Sequence, residues 1–402
     1  MTTTATPAAR SSRTVLFVIL QLALIGAAAG WSSVRYSQFG QPGQLPSLRD
    51  KPLEIRPLYD QPVVVTDEQL QRVLVKLRPK NLQEKSRINH IDHALRFWGL
   101  PAKFDDPTVF NGSELREVLT DTGRFKKQFG EQAKPLLLET RRGVRVRVAE
   151  GVMSSSHVDH TLAGLAEVGT PLDFPVKTAT RATNYRAMLE QSLRDFSLNQ
   201  VEYEWSAMAY ALFLPPAKGW RTSEGQEVTF DLLADRIMRQ ELPQGVCFGN
   251  HRLYTLVVLL RIDEEASPIL SPEKREQIIT FLADMTQRLV RSQNAEGFWD
   301  GDWPTRGSGG GEKPEKTSGD TNSDRILATG HALEWWAMVP KSAAERLHPP
   351  RDVLVRGGQW LVKTIDALTP EQTENYFTFL SHAGRALSLW RNHFPYEVSL
   401  NK

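Results

Sequence analysis

Apolar side chains recur at helical spacing along much of the chain. The clearest case begins at Ser271, which is a favourable helix cap, followed by Pro272 and Glu273, which suit the first turn and the helix dipole. The apolar positions that follow are Ile278, Ile279, Leu282, Met285 and Leu289. This periodicity predicts a long amphipathic helix.

Two further segments carry the same start signals. Residues 66–69 (TDEQ) form a capping box ahead of an apolar run, and residues 369–372 (TPEQ) repeat the pattern before Phe377. Other stretches with helical periodicity lie near residues 82–98, 158–168, 182–213, 229–240, 247–262, 324–338 and 350–367. We therefore expect an all-α domain.

Strand signals are few. Residues 144–148 alternate with period two, and residues 136–138 precede them across a turn at Arg141, Arg142 and Gly143. The sequence predicts one small β-hairpin inserted into the helical domain.

One segment is apolar on all sides. Residues 14–34 carry no charged side chain and are long enough to cross a bilayer. Arg10 and Arg13 precede this segment, so the positive-inside rule predicts a cytoplasmic N-terminus. The alternative is a cleaved signal peptide with small residues at 27–29. Both readings predict an extracytoplasmic C-terminal domain, and the anchor reading gives a single-pass protein of the cell inner membrane.

These patterns divide the chain into regions. We expect a cytoplasmic tail at 1–13, a transmembrane anchor at 14–34, a proline-rich tether at 35–64 and a helical domain at 65–402. Within the domain, residues 303–324 are rich in Gly, Ser, Lys and Pro. Such a composition predicts a flexible loop, which is either a lid or an inert insertion.

Composition narrows the classes of function. The 402 residues are 40% hydrophobic and 24% charged, which is typical of a globular protein. The net charge of +2 lacks the basic surplus that nucleic-acid binding usually requires, so we expect no nucleic-acid partner. Cys247 is the one cysteine, which excludes an internal disulfide and a C-x-x-C metal site.

A histidine pattern recurs. The motif H-x-D-H-x-L occurs at residues 90–95 and 157–162, and looser versions open apolar runs at His251, His331 and His382. If each histidine lies in the first turn of a helix that lines one ring, the imidazoles meet at one rim. A helix N-terminus disfavours the imidazolium, so these rings would be neutral. A purely structural reading, in which each ring satisfies a nearby carbonyl, stays open.

The paired histidines admit a metal hypothesis. His90 and His93 lie three residues apart, as do His157 and His160, and such a pair on one helical face can bind a metal ion. Against this, His90 and His157 are expected to precede the helix start. The pattern identifies no particular cofactor.

Two segments resemble a known repeat. Residues 289–299 (LVRSQNAEGFW) resemble the second part of the QW repeat of squalene and terpenoid cyclases, and residues 356–361 (RGGQWL) resemble the first part. The resemblance implies an α/α toroid, a barrel of helical hairpins. The catalytic motifs of that superfamily do not carry over, because residues 300–303 (DGDW) lack the full D-x-D-D and Gly245 stands where the prenyltransferase zinc motif has Asp.

A shorter segment resembles another group of helical barrels. Residues 330–335 (GHALEW) are similar to the G-H-x-x-E-W segment of N-acylglucosamine 2-epimerase-type sugar isomerases. The resemblance implies that His331 and Glu334 transfer protons at a sugar ring.

Two functional hypotheses follow. The first is an enzyme that performs acid/base chemistry on a cell-envelope carbohydrate. Its candidate catalytic residues are His160, His251, His331 and Glu334, assisted by Asp300 or Asp302. Carboxylates among aromatic residues, as at 296–303, are typical of sugar sites, although the same tryptophans fit simple packing. The second hypothesis is a non-catalytic envelope protein that binds a glycan, a peptide or a protein partner.

Overall fold

The computed structural model describes residues 8–39, 44–81, 87–216, 219–241, 246–266, 268–305 and 321–400. Over these ranges the chain is mostly helical, as predicted. The helices of the first half are α1 Ala8–Phe39, α2 Asp67–Lys76, α3 Ile88–Trp98, α4 Gly112–Thr120, α5 Thr122–Phe129, α6 His160–Glu167, α7 Tyr185–Asp195 and α8 Glu204–Phe213. Those of the second half are α9 Phe230–Arg239, α10 Asn250–Glu265, α11 Pro272–Ser292, α12 Thr321–Ala337, α13 Ala344–Leu347, α14 Arg351–Ala367, α15 Pro370–Asn375 and α16 Phe377–Leu389.

The helix starts follow the predicted caps. Thr66 and Gln69 form the capping box of α2, and the Ser271 side chain accepts a hydrogen bond from the backbone of Lys274 in α11. The start at Thr369 is also confirmed, but the helix that it opens ends at Asn375 and a new one begins at Phe377. The short helices α4 and α5 carry too few turns for a clear periodicity and were not expected.

Within the part of the chain that the structure describes, three small antiparallel hairpins interrupt the helices. The predicted hairpin is confirmed as β1 Leu137–Glu139 paired with β2 Val144–Val146. Two hairpins were not predicted. They are β3 Pro175–Lys177 with β4 Ala182–Asn184, and β5 Trp220–Arg221 with β6 Glu227–Val228. Their strands of two or three residues are too short to show an alternation.

Six helices contact one another in a closed order. Along the chain, α3 contacts α6, α6 contacts α8, α8 contacts α10, α10 contacts α12, α12 contacts α16, and α16 contacts α3. The other helices pack against these, with α4 on α3, α9 on α8 and α10, α14 on α12, and α2 on α16. All of α8 is buried, and α10 is buried without a break from Asn250 to Ile262. A helix that is buried on every side belongs to the interior of a domain.

The residues that resemble the QW repeat tie two helices together. The Gln293 side-chain amide follows α11 and donates to the backbone carbonyl of Gly297 and to that of Val353 in α14, both at 2.9 Å. The Trp299 indole is fully buried and donates to the carbonyl of Leu289 at 2.7 Å. The indole bond satisfies a carbonyl in the last turn of α11, and the Gln293 amide joins the end of α11 to the start of α14.

The apolar stretch of helix α1 is exposed. Residues Thr14–Val34 have a mean hydropathy of 2.0 and none of their most apolar window is buried. Twenty-one helical residues span about 32 Å, which matches a bilayer core of about 30 Å. This helix is therefore long and apolar enough to cross a membrane, by length and composition.

The proline-rich tether at 35–64 and the predicted loop at 303–324 are both partly ordered. Residues 44–64 are extended, as the prolines predict, but they lie along the domain rather than standing free. The backbone amides of Arg49 and Leu53 donate to carbonyls at the end of α8 at 2.8 and 3.0 Å. In the predicted loop 303–324, Trp303 is buried and α12 already begins at Thr321, while residues 306–320 lie outside the described ranges.

The contact between α12 and α16 is close at one glycine. A Cβ atom added to Gly330 would lie 2.8 Å from the backbone nitrogen of Ala383 and 2.9 Å from its Cα atom. Because backbone atoms have little freedom to move aside, only glycine fits at this crossing.

We predict that Gly330→Ala lowers the free energy of unfolding by roughly 1–3 kcal/mol, because the added methyl group forces α12 and α16 apart. Gly164→Ala in α6 is the matched control, since nothing lies within 4 Å of its added Cβ. It should be neutral or stabilising by up to about 1 kcal/mol. Denaturant unfolding of the full chain in detergent, followed by circular dichroism, measures both. Equal stability of the two variants would contradict the close crossing.

Candidate functional site

Five of the nine histidines meet in the interior of the domain. They are His93 of α3, His160 of α6, His251 of α10, His331 of α12 and His382 of α16. Each is 6% exposed or less. We call these five residues the histidine cluster. They come from five of the six helices in the closed order of contacts.

Each ring of the cluster packs against at least one other ring of the cluster. Ring centroids are 3.7 Å apart for His331 and His382, and 4.4 Å apart for His251 and His331. His93 lies 5.1 Å from His382 and 5.0 Å from His160. The convergence of imidazoles that the repeated pattern suggested is therefore present.

The sixth helix contributes an indole. Trp205, the second residue of α8, has its ring centroid 4.5 Å from that of His160 and 4.3 Å from that of His251. It fills the gap between these two histidines. With Trp205 included, each of the six helices places one ring at the centre.

A charged layer lies on the C-terminal side of the imidazoles along these helices. We call Arg96, Glu167, Tyr254, Glu334 and Arg385 the ion-pair layer. Arg96 contacts Glu167 and Glu334 at 2.7 Å each, and Arg385 contacts them at 2.7 and 2.6 Å. The Tyr254 hydroxyl donates to Glu167.

Sequence spacing links the two layers. Arg96, Tyr254, Glu334 and Arg385 each follow a cluster histidine by three residues, which is one helical turn. Because the histidines contact one another and the residues one turn later do the same, α3, α10, α12 and α16 run in the same direction past the cluster. The recurring H-x-x-[R/Y/E] spacing was a signal in the sequence that the prediction did not use.

The four charges of the ion-pair layer cancel. Burial alone would raise the pKa of Glu334, but Arg96 and its imidazole neighbours hold that pKa well below the usual range. Burial likewise opposes ionisation of Glu167, yet Arg96 and Arg385 lower its pKa. Both carboxylates are ionised, and two guanidinium groups balance them.

The carboxylate of Glu334 fixes the tautomer of two histidines. Its Oε2 atom lies 3.2 Å from Nδ1 of His331 and 3.1 Å from Nδ1 of His382. An ionised carboxylate only accepts hydrogen bonds, so each Nδ1 carries the hydrogen. Arg96 also approaches Nδ1 of His382, at 3.3 Å, but the closer carboxylate decides the tautomer. This assignment rests on the hydrogen-bond network.

Two more cluster histidines show the same arrangement. Nδ1 of His93 lies 2.7 Å from the backbone carbonyl of Asn89, and Nδ1 of His160 lies 3.3 Å from a carboxylate oxygen of Asp92. Each Nδ1–H therefore has an acceptor, and burial lowers the pKa of His93 so that its Nε2 keeps its lone pair.

The lone pairs on Nε2 are available at neutral pH. Burial lowers the pKa of the His251, His331 and His382 imidazoles, and for His251 and His382 the neighbouring imidazoles lower it further. The Nε2 atoms of His331 and His382 are buried and have no hydrogen-bond partner among the described residues. A buried, unpaired ring nitrogen costs free energy unless a ligand uses it.

Cys247 lies at the edge of the cluster. It is partly exposed, and its sulfur and one ring nitrogen each of His251 and His331 all lie within 4.8 Å of one another. Cys247 and Phe248 have φ angles of 51° and 59°, in the left-handed region. Burial raises the pKa of the Cys247 thiol, and the charge of Glu334 raises it further.

A buried carboxylic acid completes the surroundings. Glu204 opens α8 beside Trp205 and is fully buried, with one carboxyl oxygen unpaired in the described part of the chain. Burial raises its pKa, and the guanidinium of Arg252 at 3.7 Å opposes the shift.

Not every predicted site residue joins the cluster. Asp300 pairs with Arg325 at 2.9 Å and accepts from Asn294 at 3.1 Å, and Asp302 is exposed. The structure places neither carboxylate among the imidazoles. The loop 300–303 is instead held by the contacts of Asp300 with Arg325 and Asn294.

The expected position of the histidines within their helices is wrong in three cases. His160 and His251 lie in the first turn, but His93 and His382 are the sixth residues of their helices, and His331 is the eleventh residue of α12. Burial, and not a helix N-terminus, is therefore what lowers the pKa of the His93, His331 and His382 imidazoles.

The spaced pairs proposed as metal sites do not form metal-ligand groups among the described residues, although the rings of His157 and His160 lie 6.1 Å apart. His90 packs against Phe377, with ring centroids 5.9 Å apart, and burial lowers its pKa to about 4. Nδ1 of His157 lies 3.1 Å from Glu202. Among the described residues, the groups with metal-ligand spacing are Cys247–His251–His331 and His331–Glu334–His382.

Comparison of the chain with protein-family models, curated proteins and solved structures finds no match in any of the three.

We predict that Arg385→Met lowers the free energy of unfolding by about 3–5 kcal/mol, because Glu167 and Glu334 each lose a buried partner. Arg288→Met in the exposed pair with Asp284 is the matched control and should cost less than about 1 kcal/mol. Unfolding by denaturant measures the difference. A similar small cost for both variants would mean that the ion-pair layer does not support the fold.

Proposed function

We propose that the chain is a membrane-anchored enzyme that transfers protons at a polar substrate, and that this substrate is a cell-envelope carbohydrate. The observation that carries the proposal is that Nδ1 of His331 and of His382 is bonded to Glu334 while each Nε2 is buried without a partner in the described residues, which leaves its lone pair for a ligand. A general base needs an imidazole that is neutral and oriented by a second group.

We assign the roles from the local electrostatics. His331 and His382 serve as the bases, because Glu334 orients both rings and their Nε2 atoms are unpaired in the described residues. Glu334 itself is ionised and held by two arginines, so it positions the rings rather than donating a proton. Glu204, whose pKa is raised by burial, is the candidate acid.

The carbohydrate class is supported by two features. Neutral imidazoles accept hydrogen bonds from sugar hydroxyls, and Trp205 places an aromatic ring between His160 and His251. The partly exposed Cys247 beside His251 is the point where the cluster lies nearest to solvent among these residues.

We propose an α/α toroid as the architecture. The closed order of contacts through α3, α6, α8, α10, α12 and α16 supports an inner ring, and α2, α4, α9 and α14 lie outside it. A ring of parallel inner helices explains why residues from all six helices meet at the centre.

We also propose that the domain lies outside the cytoplasm, anchored in the inner membrane by α1. The basic residues Arg10 and Arg13 before the apolar segment support this orientation. The exposed apolar side chains of residues 14–34 require a lipid surface or removal of the segment.

One observation favours the non-catalytic alternative. Every ring of the cluster is 6% exposed or less, so the polar centre also suits a structural role that keeps the helices in register. In that case the domain binds a glycan, peptide or protein on another face.

The topology predicts that protease added to spheroplasts of a Gram-negative host digests the C-terminal domain. An N-terminal epitope tag should remain in the membrane fraction, because the anchor is retained. Loss of the tag from the mature chain would instead indicate a cleaved signal peptide. Protection of the domain in intact spheroplasts, with digestion after lysis, would contradict the orientation.

The catalytic proposal predicts turnover of a sugar by the full chain in detergent. The probes are glucose, mannose, N-acetylglucosamine, N-acetylmannosamine and glucuronate, together with chitin oligosaccharides. Proton NMR in D₂O reports both exchange at carbon and bond cleavage. His331→Asn should reduce the rate by roughly 10²–10⁴-fold, because it removes the base.

The control is His348→Asn. This partly buried histidine bonds to the carbonyl of Trp336 at 3.0 Å and lies outside the cluster, so its loss should leave turnover unchanged. Binding of a sugar without exchange or cleavage would favour the non-catalytic alternative. Equal activity of wild type and His331→Asn would overturn the assigned role.

A further inference from the structure

We propose that Cys247, His251 and His331 bind a transition metal ion of the zinc class, with a fourth position open to water or substrate. The sulfur and the two ring nitrogens lie within 4.8 Å of one another before any ligand draws them together. This inference concerns binding alone and does not rest on the proposed enzyme function; because Nε2 of His331 has a single lone pair, a bound ion would leave His382 as the base.

The donor types suit this class of ion. Thiolate sulfur and imidazole nitrogen are the ligands that zinc prefers, whereas magnesium and calcium prefer oxygen. Three protein ligands and one open position are typical of catalytic rather than structural zinc sites. Cys247 is the member of the group nearest to solvent, because it is partly exposed as a residue whereas His251 and His331 are buried.

His331 is already prepared as a ligand. Its Nδ1–H is held by Glu334 at 3.2 Å, and its Nε2 is buried without a partner in the described residues. A carboxylate that accepts from the far nitrogen of a metal-bound histidine is the usual outer-shell arrangement, because it fixes the ring and raises its basicity. The unpaired Nε2 of a residue that is 1% exposed is the observation that points to a ligand.

The charges around the site permit a dication. Arg96 and Arg385 lie close by, but Glu167 and Glu334 neutralise them through four contacts of 2.6–2.7 Å. A bound zinc ion deprotonates the coordinating thiol, so the thiolate offsets part of the metal charge.

A second group, His331, Glu334 and His382, also has metal-ligand spacing. We favour the cysteine group because the Glu334 oxygens already accept from Arg96, Arg385 and two imidazoles. A metal ion on Glu334 would have to displace these partners in a buried site. The cysteine group needs no such displacement.

The test uses the full chain in detergent, stripped of metal with a chelator and titrated with Co²⁺ alone. We expect one equivalent to bind and to produce a near-ultraviolet thiolate-to-cobalt charge-transfer band, which zinc then abolishes by competition. Cys247→Ser should remove this band. His251→Asn and His331→Asn should weaken binding by more than the roughly 10–100-fold typical of outer-shell changes.

Two controls separate the candidate sites. His348→Asn should bind cobalt as the wild type does, and His382→Asn should keep the charge-transfer band because it retains all three ligands. Absence of stoichiometric cobalt binding would overturn the proposal. An unchanged spectrum in Cys247→Ser would place the ion at the second group. Loss of binding in His382→Asn alone would do the same, and either result would overturn the proposal.

A measurement on the wild type avoids any folding defect of the variants. Cys247 is the single cysteine, so alkylation by iodoacetamide followed by mass spectrometry reports on this thiol alone. Zinc should slow its alkylation at least about tenfold relative to chelator, since a metal-bound thiolate is a weaker nucleophile. Equal alkylation rates with and without zinc would contradict the site. Neither readout depends on turnover, so failure here leaves the enzyme proposal standing, and the reverse also holds.

Discussion

The structure depends on one buried electrostatic constraint, the mutual neutralisation of Arg96, Arg385, Glu167 and Glu334. Each arginine contacts both glutamates, and all four side chains are nearly excluded from water. Moving such charges out of water is costly, and the cost is offset only when every charge has its partner. The helices α3, α6, α12 and α16 must therefore meet at one relative height, because a shift of one turn would leave a charge unpaired. This requirement explains why polar residues, rather than aliphatic ones, occupy the centre of a largely apolar domain.

The same constraint organises the imidazoles. Glu334 is ionised because the arginines hold it so, and an ionised carboxylate fixes the hydrogen of His331 and His382 on Nδ1. Glu334, which fixes the hydrogen on Nδ1, therefore lies one helical turn from His331. A ligand would contact the other ring nitrogen, Nε2. A polar network of this kind is favourable when complete and unfavourable when partial, so the unpaired Nε2 atoms are the places where the network is open to a ligand. At His331 proton transfer and metal binding are alternative uses of the one lone pair, whereas Nε2 of His382 lies outside the proposed metal group.

Local sequence patterns were sufficient to predict the helices and the first hairpin. They were not sufficient to predict which residues pair at the centre of the domain. The caps at Thr66, Ser271 and Thr369 act through residues three positions away, and so they could be located from the sequence. The same holds for the hairpin at β1 and β2, whose partners are close in the chain. The pairing of Arg385 with Glu167 joins residues 218 positions apart, and no local pattern specifies such a partner. Asp300 illustrates the opposite error, since its aromatic neighbours suggested a site while Arg325 and Asn294 actually hold it.

The sequence alone determined the helical class, the apolar segment at 14–34 and the repeated histidines, because periodicity, charge and motif spacing are properties of neighbouring residues. It also correctly indicated that the histidines converge. Only the tertiary structure decided which further residues surround the histidines, namely Trp205, Arg96, Glu167, Tyr254 and Arg385. It also decided their chemical state, because a tautomer or a lowered pKa depends on burial and on partners brought from distant helices. The physical reason is that helix formation is governed by bonds within a few residues, whereas desolvation and ion pairing arise only when helices pack.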